Sequence, residues 1–329
     1  MNLEDVVDSK YSGVILIKKG EDTILEKARG YASLSYSIPN EIDTKFAIAS
    51  GGKVFVAIGI LKLIEEGKLA LDDCIGDILH MDLKEINPNI TIHQLLNHTS
   101  GIPDYFDETI MNDYEELWKD YPNYKIRSSK DIIPLFINKP MMYPSGEKFQ
   151  YNNTGYVVLG LIIEKISNIP FDKYLKEIIF KPCNMLNTGY YELDRLPAKC
   201  ATAYLYDEKR KEYYSNIYSV DAKGTGAGGV FTTALDMESF WNNLLSGKIL
   251  SPKKLSKMLS PQVDEQCYGY GIWLKKVEDN KFIPYLQGCD PGVSFFTSFD
   301  REKNICIILI SNFESNVWEL HRNIIKELS

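Results

Sequence analysis

Histidine is scarce in this 329-residue chain and cysteine is scattered, and each scarcity removes a class of chemistry. The four histidines (His80, His93, His98, His321) form no HExxH pair, so a zinc site would need carboxylates for most of its ligands. No metal and no cofactor are expected. The six cysteines (Cys74, Cys183, Cys200, Cys267, Cys289, Cys306) make no CxxC pair and no metal-ligand spacing, which predicts mostly buried, reduced thiols. Excess basic charge is missing as well: 37 Lys and Arg face 45 Asp and Glu, for a net charge of −8. That balance argues against nonspecific nucleic-acid binding and offers no basic patch for an anionic membrane. No apolar run approaches the roughly 18–20 residues of a membrane span. The longest, residues 156–163 and 305–310, read as buried core. The first residues lack the basic-then-apolar pattern of a signal peptide, so a cytoplasmic location is expected unless a leader has been removed.

What is present is an ordinary globular composition, 44% hydrophobic and 25% charged. Residues 13–19 and 23–32 are short strand-like runs separated by the turn residues Gly20-Glu21-Asp22. A strongly apolar helix is predicted from about 51 to 66, stopped by Gly67. Its apolar positions run almost all the way round, which marks it as central and buried. From 69 to about 229 the pattern becomes helices joined by Pro-, Asn- and Gly-rich loops, with helices over 92–97, 130–137, 154–166 and 172–179. Strands return at 268–276, 281–286, 293–299 and 304–311, and a helix over 314–328 follows. Strands at both ends and a helical middle predict one mixed α/β domain over 1–329. Its sheet lobe would comprise about 1–68 plus 230–329, with a mostly helical lobe, about 69–229, inserted.

Ser50-Gly51-Gly52-Lys53 opens the apolar helix. Residues three apart share a helix face, so the amine of Lys53 can approach the hydroxyl of Ser50. A serine hydroxyl becomes nucleophilic when a neighbour takes its proton, and burial can lower a lysine pKa enough for that task. The spacing recurs at Ser145–Lys148 and Ser251–Lys254, but only the copy at Ser50 leads into a long apolar helix. Tyr151-Asn152-Asn153 lies between a turn and a second apolar helix, where a phenol could relay protons and an amide could hold a carbonyl or the lysine. Similar Tyr-x-Asn triplets occur at Tyr121 and Tyr214, so position, not pattern, selects Tyr151.

Beyond these two motifs, segments 95–103 (LLNHTSGIP), 143–156 (YPSGEKFQYNNTGY), 181–185 (KPCNM), 227–233 (AGGVFTT) and 268–273 (YGYGIW) occur in a recognisable order. Together with 46–53 they resemble the class C β-lactamases, low-molecular-mass penicillin-binding proteins and related esterases, and they cover nearly the whole chain. Ser-x-x-Lys is a signature of that wider superfamily. The resemblance implies a β-lactamase/transpeptidase-like fold, an antiparallel sheet built from both termini with flanking helices and the active site between the lobes. It implies Ser50 as nucleophile, Lys53 as proton acceptor, Tyr151 as general base or relay, and Asn153 as a substrate-orienting amide. His98 is given a structural role, since this chemistry has no histidine base.

The third family motif, a Lys-Thr-Gly or His-x-Gly strand, corresponds to Leu286-Gln287-Gly288. Gly288 lets a substrate lie close to the strand and Gln287 lines it, but neutral Leu286 replaces the cation that helps recognise a substrate carboxylate. The backbone amides of Ser50 and Cys289 are the expected oxyanion donors. Gly224–Gly229 satisfies GxGxxG, yet it lacks the early strand–turn–helix setting of a dinucleotide site and reads as a tight loop beside the cleft. The tyrosines at 204, 206, 213, 214 and 218 either pack ordinarily or line an acyl pocket. The expected activity is cleavage of a small ester, a D-amino-acid peptide or amide, or a β-lactam, through an acyl-enzyme on Ser50. The partner is then a small-molecule or peptide substrate, and a monomer is the simplest assembly. The alternative is an impaired penicillin-binding-like binding or sensor protein.

Overall fold

The structure, a computed structural model, describes residues 3, 7–111, 114–263 and 266–328. Its centre is a six-stranded antiparallel sheet made of β1 (Gly13–Lys19), β2 (Asp22–Arg29), β3 (Trp273–Glu278), β4 (Lys281–Asp290), β5 (Val293–Asp300) and β6 (Ile305–Ser311). The strand order is β2-β1-β6-β5-β4-β3. The first and last strands in sequence thus meet in the middle, with Gly13 opposite Ser311 and Lys19 opposite Ile305. All seven residues of β6 are buried, as its unbroken run of apolar side chains requires of a strand covered on both faces.

Strand alternation divides the sheet between two layers. Val14, Leu16, Phe295, Ile308 and Ile310 join the main core, whereas Ile15, Ile17, Phe296, Ile307 and Leu309 face the opposite way. That second face is covered by Val317, Leu320 and Ile324 of an amphipathic helix, Val317–Leu328. On the main-core side lies α1 (Lys53–Glu65), with ten of its thirteen residues buried, so it is the central helix that its uniform hydrophobicity predicts. It packs against α2 (Asn153–Ser167). Gly59 permits close approach there, since a Cβ on it would stand 2.7 Å from Leu175 and 2.9 Å from Ile163.

Several sequence expectations change in detail. Residues 130–137 form a 3-10 helix, Ser129–Leu135, because Pro134 lacks the N–H an α-helix would use there. The helix over 172–179 becomes a short α-helix, Phe171–Leu175, continuing into a π-turn at Lys176–Phe180. The strand expected from 268 begins only at Trp273, after a turn in which Gly271 has φ of +71°. β4 extends past 286 to Asp290, which carries Gly288 and Cys289 into the cleft. The mainly helical middle also holds a hairpin of Tyr204–Asp207 and Glu212–Ser215. The thiols are all free, but only Cys183 and Cys306 are buried; Cys267 and Cys289 are exposed. The expectation of mostly buried cysteines is therefore corrected: Cys289 sits on the strand that borders the cleft, and Cys267 lies in the exposed approach to β3. No described helix is long and apolar enough to cross a membrane.

Candidate active site

Ser50 lies in a one-turn 3-10 helix, Ala49–Gly52, immediately before α1. Its backbone is pinched between two glycines. A Cβ on Gly228 would fall 2.7 Å from the Ala49 carbonyl oxygen, and one on Gly288 would fall 2.2 Å from that of Ile48 and 3.0 Å from the Ser50 nitrogen. Only backbone without side chains can approach so closely. Ala49 itself is fully buried with φ of +46°, a left-handed conformation that costs an L-residue roughly 1–2 kcal/mol. The surrounding contacts hold this strain next to the hydroxyl.

Lys53 follows one turn later and is 1% exposed. Its Nζ donates to Ser50 Oγ at 2.8 Å, to Asn153 Oδ1 at 2.8 Å and to the Ala227 carbonyl at 2.6 Å. Three acceptors match the three hydrogens of an ammonium; a neutral amine would keep two of these bonds and turn its lone pair toward the serine hydrogen. Burial lowers the Lys53 pKa to about 8, although the carboxylates of Glu108, Asp104 and Asp290 pull the other way. The neutral form is thus accessible near physiological pH.

Asn153 begins α2, behind the N-cap Asn152, whose side chain accepts from Gly155 N. Asp104 fixes this helix start by accepting from the backbone nitrogens of Asn153 at 2.8 Å and Thr154 at 3.0 Å, and from the Thr154 hydroxyl. Burial pushes Asp104 up to about 6 despite these donors. The Asn153 amide donates to the Phe106 carbonyl and to Glu108. Its oxygen thus holds the Lys53 amine, while its edge still borders the cleft.

Tyr151 precedes the cap and lines the cleft beside Ser50; Lys53 Nζ stands 5.0 Å from its ring centre. Burial raises its pKa well above the usual phenol value, so it is a neutral phenol, able to pass a proton on rather than to hold a negative charge. Its ring stacks on Trp273 at 5.9 Å and leans on His98 at 4.5 Å. His98 is 1% exposed; its Nδ1 accepts from Asn152 N, which leaves the Nε2 hydrogen for the Tyr268 hydroxyl. It buttresses Tyr151 and has no exposed nitrogen to offer a substrate.

A cavity of about 1420 Å³ opens over Ser50, Tyr151 and Asn153. Gln287, Gly288 and Cys289 line one wall, with the Gln287 side-chain oxygen accepting from Trp318 at 2.8 Å. Leu286, which the sequence resemblance aligns with the family cation, is 2% exposed and belongs to the core. The glycine-rich loop contributes Gly224, Gly228 and Gly229, as a tight loop beside a cleft should. Of the five tyrosines, Tyr204, Tyr213 and Tyr214 line this cavity; Tyr206 borders a neighbouring groove. The other Ser-x-x-Lys copies are diverted: Lys148 lies over the Tyr143 ring, and Ser251 precedes a surface helix, Pro252–Met258. Sequence reasoning missed Asp104, Asp221 and Asp290, although Asp104 follows the segment 95–103 and Asp290 follows Cys289. It also missed the Ala227 carbonyl, although the segment 227–233 had been singled out.

The comparisons with known proteins agree with this architecture. A crystal structure of a penicillin binding protein from Bacillus halodurans superposes with a TM-score of 0.93 at 40% identity, covering 99% of this chain and 100% of that one. The penicillin-binding protein PbpX of Bacillus subtilis (strain 168) is 29% identical over 93% of this chain and 72% of its own length. A D-amino acid amidase from Ochrobactrum anthropi SV3, complexed with L-phenylalanine amide, matches at a TM-score of 0.81 and 25% identity over 99% of this chain and 96% of its own. The family model described as Beta-lactamase matches residues 4–327, and the chain belongs to the β-lactamase family.

Proposed function

We propose that this protein is a serine hydrolase that cleaves a small ester or amide through an acyl-enzyme on Ser50. The observation carrying the proposal is the buried Lys53 amine, 2.8 Å from Ser50 Oγ and lowered to a pKa of about 8. Neutral Lys53 takes the hydroxyl proton as Ser50 Oγ bonds to the carbonyl carbon. The backbone N–H groups of Ser50 and Cys289 receive the developing oxyanion. Ser50 stands in the first turn of its helix, where N–H groups have no intrahelical acceptor. Cys289 lies on the part of β4 beyond Tyr285, where pairing with β3 has ended. Tyr151 passes a proton to the leaving oxygen or nitrogen as its bond to carbon breaks and is resupplied by the Lys53 ammonium, which returns to the neutral amine. Water then attacks the acyl-enzyme by the same relay in reverse and releases the acid. The similarity to the D-amino acid amidase supports an ester or amide substrate. Leu286, buried where the family carries a cation, weighs against substrates that need a carboxylate recognised.

Intact-protein mass after brief exposure to benzylpenicillin or to an activated ester, with released product followed in the same tubes, tests this reading. Wild type should show an adduct or turnover that Ser50→Ala lacks. Absence of both in wild type would favour a binding or sensor protein. The pH profile gives a second test. Because the neutral amine is the base, kcat/KM for an uncharged ester should rise with pH and level off above about 8. A flat profile between pH 6 and 9 would remove Lys53 from that role.

A further inference from the structure

The cavity over Ser50 is lined by charge of one sign. Glu108, Glu115, Asp221, Asp290 and Glu314 border it, and among the described residues no lysine, arginine or histidine does. The lysine at its base, Lys53, is turned into the core and bound to three acceptors. Leu286 supplies no cation on the strand wall. A substrate carboxylate entering this space would find no cationic side chain among the described lining residues to pair with, which is the opposite of a site that selects a terminal carboxylate.

Resting on the proposed hydrolase reading, we propose that the substrate carries a free ammonium group beside its scissile carbonyl, and that Asp290 and Asp221 receive it. The placement follows from β4. Gly288 lies against the Ser50 turn, and Asp290 is two residues further along the same strand, about 7 Å away. That span matches an amine one or two carbons from a carbonyl seated at Ser50, as in an aminoacyl ester or amide. No side chain among the described residues donates to the Asp290 carboxylate. Among the described residues Asp221 takes a single hydrogen bond, from the Tyr114 hydroxyl at 3.2 Å on one oxygen, leaving the other for a ligand. These acids are not gathered for a metal: no group of three or more His, Cys, Asp or Glu side chains among the described residues is arranged to hold one. Burial raises Asp290 to about 7, against the pull of Lys53, and raises Asp221 to about 8, helped by the charge of Asp290. An arriving ammonium favours the ionised form of both carboxyls and so offsets the effect of burial.

The test compares alanine p-nitroanilide, in both hands, with its N-acetylated counterpart at pH 7. Removing the ammonium by acetylation should lower kcat/KM roughly tenfold to a hundredfold in wild type, the worth of a charge-assisted hydrogen bond. In Asp290→Asn and in Asp221→Asn the ratio of free to acetylated substrate should fall toward one. Because each ratio is taken on one protein sample, a loss of folded material cancels. Equal or preferred turnover of the acetylated compound in wild type overturns the proposal, as does a ratio that survives in both variants. If neither compound is turned over, binding of alaninamide and N-acetylalaninamide to Ser50→Ala, measured by calorimetry, still reads the charge preference. Tighter binding of the free amine sustains the ammonium site even where the hydrolase reading fails, and equal binding rejects it.

Discussion

Lys53→Met should reduce Ser50-dependent turnover roughly 100- to 10,000-fold, the range that a positioned general base contributes. The same variant should also change how stability depends on pH. In the folded protein Lys53 titrates near 8, lowered by burial from 10.5. Below pH 8 both folded and unfolded chains carry the proton, and the fold bears the cost of a buried charge. Between pH 8 and 10.5 the unfolded chain binds more protons than the folded one, so wild-type stability rises with pH. Methionine has no such titration. Wild type should therefore gain about 3 kcal/mol relative to Lys53→Met across that window, measured from urea unfolding midpoints at the two ends. A stability difference that stays constant with pH would mean that Lys53 is not a depressed lysine, and the proposed proton acceptor would be lost with it.

Gly288→Ala tests the other half of the site. The added methyl would meet Ile48 O at 2.2 Å, Gly51 N at 2.9 Å and Ser50 N at 3.0 Å. All three are backbone atoms, which cannot swing aside as a flexible side chain would. β4 or the serine turn must shift, and the proposed donors at Ser50 and Cys289 then lose their common aim. Turnover should drop about 100- to 1000-fold, as for removal of one oxyanion donor. The strain should also lower stability by about 1–3 kcal/mol, the usual cost of overpacking. Single-turnover acylation rates and thermal unfolding of the same sample separate the two effects. An acylation rate within a few fold of wild type would place the oxyanion elsewhere.

The features legible in sequence were those fixed by local periodicity or by contiguous motifs. α1 and the strands β1, β5 and β6 follow from apolar runs of the right length, and the antiparallel sheet follows from strands at both ends. Ser50 and Lys53 share one helical turn, so their 2.8 Å contact could be anticipated from spacing. Asn153 lies 100 residues from Lys53, so spacing could not bring them together; the motif's position beside a second apolar helix left open whether its amide holds a carbonyl or the lysine, and the structure shows the lysine held. Asp104, Asp221 and Asp290 could not be recognised because an isolated aspartate looks the same in sequence whether solvated or enclosed. The hairpin at 204–215 was hidden because its tyrosines fit a strand and a core helix equally well. Gln287 was expected to face substrate and borders the cleft, yet its amide oxygen is already engaged by Trp318.

The pairing of β1 with β6 also dictates an order of assembly. Residues 13–19 can form a hairpin with 22–29 early in synthesis, but their other edge finds its partner nearly 300 positions later. Until then the growing chain holds an unsatisfied strand edge rich in valine, isoleucine and leucine, a template for pairing between nascent chains. The wait is long at ribosomal speed, and contacts so distant in sequence close slowly. Refolding yield should therefore depend more on protein concentration than on any local sequence preference. Truncation before residue 305 should leave a chain that aggregates rather than one that folds without its last strand.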